Sequence, residues 1–395
     1  MKAKRLPVAA KADFSARMTA LRAVVSSVNK ELKKDVVALA ADGLVGDVQG
    51  VVPTGMHLLD LMLHGGIPLG RMVEISGRPG LGKSTLAAHI LSNCQKMGGT
   101  AIVLDSENSW TSERVRELGL DPAALIQFEA RTIEEGFNLI ELTLKKLNEV
   151  FIKDKEKAPV IIVWDTIAAS PCARDIDPSK VGTAMDKPKA IHIGLKKIIP
   201  VLRDSRASLV LINQIITKMM SFGGPSDDTP GGWGIKFGAS QAIRLSTPAQ
   251  GKIVIGGEHI GNVIRVRMTK NKIPGRRTKD YETRLSLLFE TGFNDAVSNL
   301  MFLSEGQTIT GSSKRIGGLC SVVKKLPRGI FQIDYNGEEY KPKISTFKNL
   351  VDSTEGMSEW LHGLVETDFL KPISSGDVLA DDSDDDYGIV DEDAE

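Results

Sequence analysis

Residues 77–84 read Gly-Arg-Pro-Gly-Leu-Gly-Lys-Ser, and this run constrains the fold more than any other stretch of the chain. The spacing G-x-x-x-x-G-K-[ST] turns backbone N–H groups inward around phosphate oxygens. It sets a lysine to reach the outer phosphates and places a hydroxyl where Mg²⁺ can take it. The flanks fit that use. Met72–Ser76 reads as a short buried strand, and Thr85–Leu91 follows with helical periodicity. A strand, a glycine loop and a helix N-terminus together bind an anion. The residues expected at a nucleotide are therefore Gly77, Arg78, Pro79, Gly80, Leu81, Gly82, Lys83, Ser84 and Thr85, with Ser84 as a Mg²⁺ ligand.

The pattern around the loop predicts an α/β fold. Buried strands are expected at Met72–Ser76, Thr100–Leu104, Val160–Trp164 and Ser208–Ile212. Helical patterns alternate with them at Thr85–Lys96, Ser112–Leu118, Ile133–Phe151 and Pro188–Arg203. Such alternation builds a mainly parallel sheet. After Lys236 the pattern changes to successive strands, Gln241–Ser246, Gly261–Thr269 and Thr283–Phe289, expected as an antiparallel extension. Four segments follow from this: an N-terminal helix and strand (1–50), a core (51–292), a small α/β domain (293–370) and a disordered tail (371–395). In the first, apolar spacing predicts a helix over Leu21–Leu32 after a mobile basic arm, then a strand over Asp35–Leu39. In the third, a helix is expected around Met357–Leu364.

Charge is balanced overall but segregated. Residues 1–34 carry nine Lys/Arg against two acidic residues, whereas Asp377–Glu395 carries ten Asp/Glu and no base. That asymmetry suggests a nucleic-acid partner and a tail that competes with it. The three cysteines, Cys94, Cys172 and Cys320, are widely spaced and support neither a disulfide framework nor a zinc site. No apolar run reaches membrane length, and the basic N-terminus lacks an apolar signal core. A soluble cytoplasmic protein without membrane contact is expected.

In an open parallel sheet, ligands bind beyond the carboxyl ends of the strands. The second strand ends in Asp105-Ser-Glu107, the third in Asp165-Thr166 and the fourth in Asn213-Gln214. All are expected to face one nucleotide. Asp165, after Val160-Ile-Ile-Val-Trp164, is placed to hold Mg²⁺ through its water shell. Glu107 can then align and deprotonate the attacking water, and neutral Gln214 can hydrogen-bond a γ-phosphate. Each is an ordinary strand-terminating polar residue when taken alone; three in register with a phosphate loop are not.

Two long loops leave the same edge. Residues 171–187 offer Arg174, Lys180 and Met185. Residues 215–232 offer Lys218 for phosphate, Met219, Met220 and Phe222 as apolar wedges, and Gly231 and Gly232 for close backbone approach. Lysine with apolar wedges suits single-stranded DNA. Lys270 and Lys272 form a pair on one face of an extended segment, suited to a phosphate.

Taken in order, these motifs resemble the RecA family of homologous-recombination ATPases. Pro53-Thr-Gly-Met-His-Leu-Leu-Asp60 and Gly65–Ile75 resemble the approach to the phosphate loop. Leu211-Ile-Asn-Gln-Ile215 and Gly231-Gly-Trp-Gly-Ile-Lys-Phe237 resemble the bounds of the family's second DNA loop, and Met268–Ile273 its lysine strand. The resemblance spans residues 25–292. It implies a RecA-like core that uses ATP and Mg²⁺, with Lys83, Glu107 and Gln214 catalytic and Asp165 supporting the metal. It also implies that Lys270 and Lys272 reach ATP on an adjacent subunit of a helical homo-oligomer, onto which the N-terminal helix and strand dock. Implied partners are single-stranded DNA, homologous double-stranded DNA, and a loading mediator or single-strand-binding protein. Arg114 stands where bacterial members carry an adenine-stacking aromatic, so an arginine plane is expected there. The first loop shares little with bacterial members and residues 293–370 match poorly, a divergence that looks more like a phage-encoded recombinase than a bacterial one.

Three functions fit this reading. The first is a DNA-dependent ATPase that forms filaments on single-stranded DNA and promotes pairing and strand exchange. The second is a ring-shaped helicase or motor, and the third a non-catalytic DNA-binding mediator. The intact Lys83, Glu107 and Asp165 argue against the third. The N-terminal appendage and the lysine pair favour the first.

Overall fold

The structure is a computed structural model. It describes residues 11–33, 37, 39, 47–151, 158–176, 183, 185–220, 224–228, 232–248, 251–255, 257–273, 282–308, 315–316, 320–326 and 330–369. Most of the strand expected over 35–39, and the tail 371–395, lie outside these residues.

The chain divides into two units, residues 1–49 and 50–395. In the first, α1 (Lys11–Leu32) begins ten residues earlier than the apolar spacing predicts. Its first turns contain Ala16, Arg17, Met18 and Ala20, which favour a helix without needing an apolar stripe. Past its end the Asn29 amide clamps the returning chain. It donates to the Val37 carbonyl at 2.7 Å and accepts from the Val37 N–H at 2.9 Å.

The second unit opens with an antiparallel pair, β1 (Val51–Val52) and β2 (Ile67–Pro68), around α2 (His57–Met62). Then follow β3 (Met72–Gly77), α3 (Lys83–Lys96), β4 (Thr100–Asp105), α4 (Ser112–Glu117), β5 (Leu125–Phe128) and α5 (Ile133–Val150). After these come β6 (Val160–Asp165), the one-turn α6 (Ala173–Ile176), α7 (Asp186–Asp204) and β7 (Ala207–Gln214). The segment after Gln214, expected as a loop, is an antiparallel hairpin of β8 (Ile216–Met220) and β9 (Gly224–Asp228), pairing Ile216 with Asp228 and Met220 with Gly224. The chain continues through α8 (Gly232–Gly238), β10 (Gln241–Ser246), β11 (Lys252–Ile255), β12 (Glu258–Asn271), β13 (Glu282–Leu288), β14 (Gly292–Asn294) and α9 (Asp295–Glu305). It closes with the pair β15 (Gln307–Thr308) and β16 (Arg315–Ile316), the small sheet β17 (Val323–Lys325), β18 (Phe331–Tyr335) and β19 (Glu338–Tyr340), then α10 (Ile344–Ser353) and α11 (Met357–Phe369).

The main sheet has the order β14-β13-β12-β10-β3-β7-β6-β4-β5, with β11 paired to β12. From β10 to β5 every pair is parallel. The Gln241–Ser246 strand therefore corrects the expectation: it lies parallel to β3, and antiparallel pairing starts only between β10 and β12. Since β12 runs against β10 and β13 against β12, β13 runs the same way as β3. Its carboxyl end thus lies on the phosphate-loop edge.

The parallel strands are buried on both faces, which explains their unbroken apolar runs. Along β6, Ile161 and Val163 join the core under α3, while Ile162 and Trp164 join the core under α5 and α7. Close approach on the second face uses glycine. A Cβ on Gly136 would lie 2.6 Å from the Trp164 ring, and one on Gly194 would lie 2.1 Å from Phe137. On the other face Phe302, Phe347 and Leu361, from α9, α10 and α11, belong to the same core cluster as Leu86 and Ile90 of α3.

Candidate nucleotide site

The phosphate loop forms because its glycines take backbone shapes that other residues resist. Gly80 and Gly82 have φ of +76° and +78°. A Cβ on Gly82 would also lie 2.9 Å from Leu287 and 3.0 Å from Phe293. Gly82 caps α3 without a side-chain hydrogen bond, whereas α4 and α5 are capped by Thr111 and Thr132. A helix start without a side-chain cap presents unsatisfied N–H groups and the positive end of its dipole.

These groups open onto a cleft of about 340 Å³. Pro79, Gly80, Gly82, Lys83, Ser84 and Thr85 line one wall, and Glu107, Asp165, Thr166 and Gln214 another. Arg114, Leu287, Leu288 and Phe289 complete it. The strand-end reasoning thus brings together residues up to 137 positions apart in sequence, from Gly77 at the root of the loop to Gln214. Asn213 departs from it. Its amide turns away and donates to the buried Glu74 carboxylate at 3.0 Å. Gly77, Arg78 and Leu81 also stay outside the lining. Gly77 ends β3, Leu81 packs against the core, and the Arg78 carbonyl accepts from Lys83 Nζ at 2.9 Å.

Glu107 Oε1 accepts from Gln214 Nε2 at 2.7 Å and from Thr166 Oγ1 at 3.0 Å. Asp165 is almost fully buried, at 1% exposure. Burial raises its pKa above the usual carboxylate range. Hydrogen bonds from Ser84 and Trp110 oppose the shift, and the Glu107 and Asp105 charges reinforce it. Burial lowers the Lys83 pKa, against the pull of Asp165 and Glu107. Carboxylates crowded beside a single buried ammonium suit a divalent cation. Among the described residues no cluster of three or more His, Cys, Asp or Glu could hold a metal unaided. That donor set fits Mg²⁺, which keeps most of its water and is held by one or two side chains plus substrate phosphates. Ser84 and Asp165 are the residues that would hold it.

The remaining expected residues are more scattered. Lys270 and Lys272 do not line the cleft. Both turn to the carboxyl end of α8, where Lys272 Nζ donates to the Phe237 carbonyl at 2.9 Å. Lys270 donates to the Lys236 and Phe237 carbonyls, and burial beside the Lys272 charge lowers its pKa to about 8. In the first loop Arg174 pairs with Asp186 at 3.0 Å, and Met185 is 71% exposed at the start of α7. Lys218 and Met219 lie on β8, and Gly232 opens α8. Lys180, Phe222 and Gly231 fall outside the described residues.

Sequence reasoning missed Leu287, Leu288 and Phe289. Phe289 is half exposed at the cleft and meets His259 edge-on, with ring centroids 4.9 Å apart. Arg114 faces the same space and is tethered by Glu117 at 2.8 Å and by the Glu290 carbonyl. The strand-end rule would have found these three residues had β13 been read as running with β3. Cys94, Cys172 and Cys320 are free thiols. Among the described residues no helix is long and apolar enough to cross a membrane.

The sheet order, the glycine loop and the carboxylates beyond it define a phosphate-loop nucleotide-binding protein of the α/β class. The RecA N-terminal domain family model matches residues 19–294, well over half of the chain. The chain belongs to the RecA family. It is 28% identical to Protein RecA of Bifidobacterium breve over 374 residues, covering 93% of this chain and 86% of that protein. Protein RecA of Thioalkalivibrio sulfidiphilus is 28% identical over 364 residues, 86% of this chain and 98% of the relative. Protein RecA of Caldanaerobacter subterraneus is 32% identical over 263 residues, 65% and 72% of the two chains.

Proposed function

We propose that this chain is an ATP-dependent DNA recombinase that assembles as a helical filament on single-stranded DNA and promotes pairing and strand exchange with a homologous duplex. ATP occupies the cleft, with its phosphates on Pro79, Gly80 and Gly82–Thr85. Ser84 and Asp165 would hold Mg²⁺, which would supply positive charge to offset that of the phosphates. Lys83 contacts those phosphates, Glu107 takes the proton of the attacking water, and Arg114 and Phe289 flank the base. Lys270 and Lys272 leave the α8 carbonyls for the γ-phosphate of a neighbouring subunit. Unit 1–49 docks on that neighbour. Arg174, Lys180 and Met185 of the first loop, and Lys218, Met219, Phe222, Gly231 and Gly232 around the hairpin, contact DNA. A loading mediator or single-strand-binding protein is an expected partner.

One observation carries this reading. Gln214 touches the proposed base, Glu107, and stands two residues before the β8–β9 hairpin. A γ-phosphate that draws the Gln214 amide off Glu107 moves the root of a DNA-contacting element. Nucleotide state then becomes DNA affinity. A ring-shaped motor on the same core is the competing reading. Imaging the protein with single-stranded DNA and a non-hydrolysable ATP analogue separates them: continuous helical filaments are expected, and closed rings would overturn the proposal.

A further inference from the structure

The turn after β4 does more than present Glu107. Its centre is the Asp105 carboxylate, whose Oδ1 accepts from the Glu107 N–H at 3.2 Å and Oδ2 from the Trp110 N–H at 3.0 Å. Asn108 between them takes the left-handed conformation, φ 54°, which asparagine tolerates better than most residues. A single carboxylate therefore sets two side chains at once. Glu107 points to Thr166 and Gln214. Trp110 packs its ring against the core under α3, and its indole N–H donates to Asp165 Oδ2 at 2.9 Å. Trp110 does not line the cleft.

We propose that Trp110 is a positioning residue for the metal of the nucleotide site, fixing the Asp165 carboxylate so that one oxygen is committed to the indole and the other is free for the metal's water shell. The inference rests on the reading that this cleft binds Mg²⁺ with a nucleotide. The physical reason is rotational. The terminal torsion of an aspartate is broad and roughly two-fold, so an unheld carboxylate samples many orientations. Asp165 has two fixed donors, Trp110 and Ser84, and Ser84 is the residue expected to leave it for the metal. The indole is then the only one of the two to persist in the loaded site. A rigid, partly buried aromatic packed against the core makes a better anchor than a flexible side chain. Removing the outer-shell partners of metal ligands costs about 10–100-fold in metal affinity, and the low end of that range is expected one hydrogen bond further out.

The test measures binding rather than turnover. A fluorescent ADP is titrated into the full-length protein across a range of Mg²⁺ concentrations, and again in EDTA. Trp110→Phe is expected to raise the Mg²⁺ concentration for half-maximal tight binding about tenfold, with the EDTA affinity unchanged. Should Trp110→Phe fold poorly, benzothienylalanine at position 110 keeps the ring shape and deletes only the N–H. The same tenfold shift is expected. An unchanged Mg²⁺ requirement in a folded variant would overturn the inference and leave Trp110 as packing. A wild-type protein whose ADP affinity ignores Mg²⁺ would instead overturn the reading of the cleft itself.

Discussion

Replacing Glu107 by glutamine separates chemistry from architecture. The wild-type Oε1 accepts two hydrogen bonds, at 2.7 Å from Gln214 and 3.0 Å from Thr166. A glutamine carbonyl placed there keeps both, and its amide takes the position of the other oxygen. The fold and the link to Gln214 survive, while the proposed proton acceptor is lost. General-base catalysis contributes about 10²–10⁴-fold, or about 3–5 kcal/mol of barrier at 1.36 kcal/mol per decade. Nucleotide affinity should hold or rise, because one of the carboxylates beside the phosphates loses its charge. The assay is phosphate release under saturating ATP and single-stranded DNA, with fluorescent-nucleotide binding in parallel. The expected result is kcat lower by about 10²–10⁴-fold with binding intact. Turnover within about tenfold of wild type would refute Glu107 as the base and shift that role to another group at the cleft.

Lys83→Ala removes the buried ammonium beside Asp165 and Glu107; nucleotide binding measured by fluorescence should be lost, and retained wild-type affinity would count against the phosphate-loop assignment. Gly194→Ala would drive a Cβ to 2.1 Å from Phe137 between α5 and α7, and a loss of about 1–3 kcal/mol is expected in urea unfolding; an unchanged midpoint would mean that the two helices separate freely. His362, bonded to Asp295 at 2.8 Å and stacked on His57, has its pKa raised by that hydrogen bond first, with the Asp295, Glu359 and Glu366 charges adding to it against the effect of burial. Because the folded value lies above the unfolded one, the contribution of His362 is complete below about pH 6.5 and is lost as pH rises through the folded value. The melting temperature of wild type relative to His362→Gln should therefore fall between mildly acidic and alkaline pH, and a difference independent of pH would contradict the assignment.

Much of the cleft was legible because a parallel sheet delivers the carboxyl ends of its strands to one edge. Reading the residue after each apolar run was enough to gather Lys83, Glu107, Asp165 and Gln214. What was lost needed strand direction or tertiary contact. Phe289 was hidden because the strands after Lys236 looked uniformly antiparallel; β13 regains the direction of β3 only through two reversals. Trp110 carries no local signal, since its partner lies 55 residues away. The edge strand β5 (Leu-Ile-Gln-Phe) escaped because only Phe128 is buried. The hairpin after Gln214 escaped because Gly-Pro-Ser-Asp-Asp on β9 has little strand propensity. The start of α1 was missed because Lys11–Ala20 has helix-forming composition without apolar periodicity.

The proposed link from cleft to hairpin runs through Gln214. The deciding measurement is the affinity for single-stranded DNA with a non-hydrolysable ATP analogue and with ADP, in wild type and in Gln214→Ala. Coupling free energies between sites run about 1–3 kcal/mol, or about 5–150-fold. Wild type should bind DNA more tightly with the ATP analogue by a factor in that range. Gln214→Ala should still bind both nucleotides, the ATP analogue less tightly for want of the γ-phosphate contact, while the two DNA affinities converge. A variant that keeps the full nucleotide-dependent difference would contradict the claim that ATP is reported to DNA through this side chain.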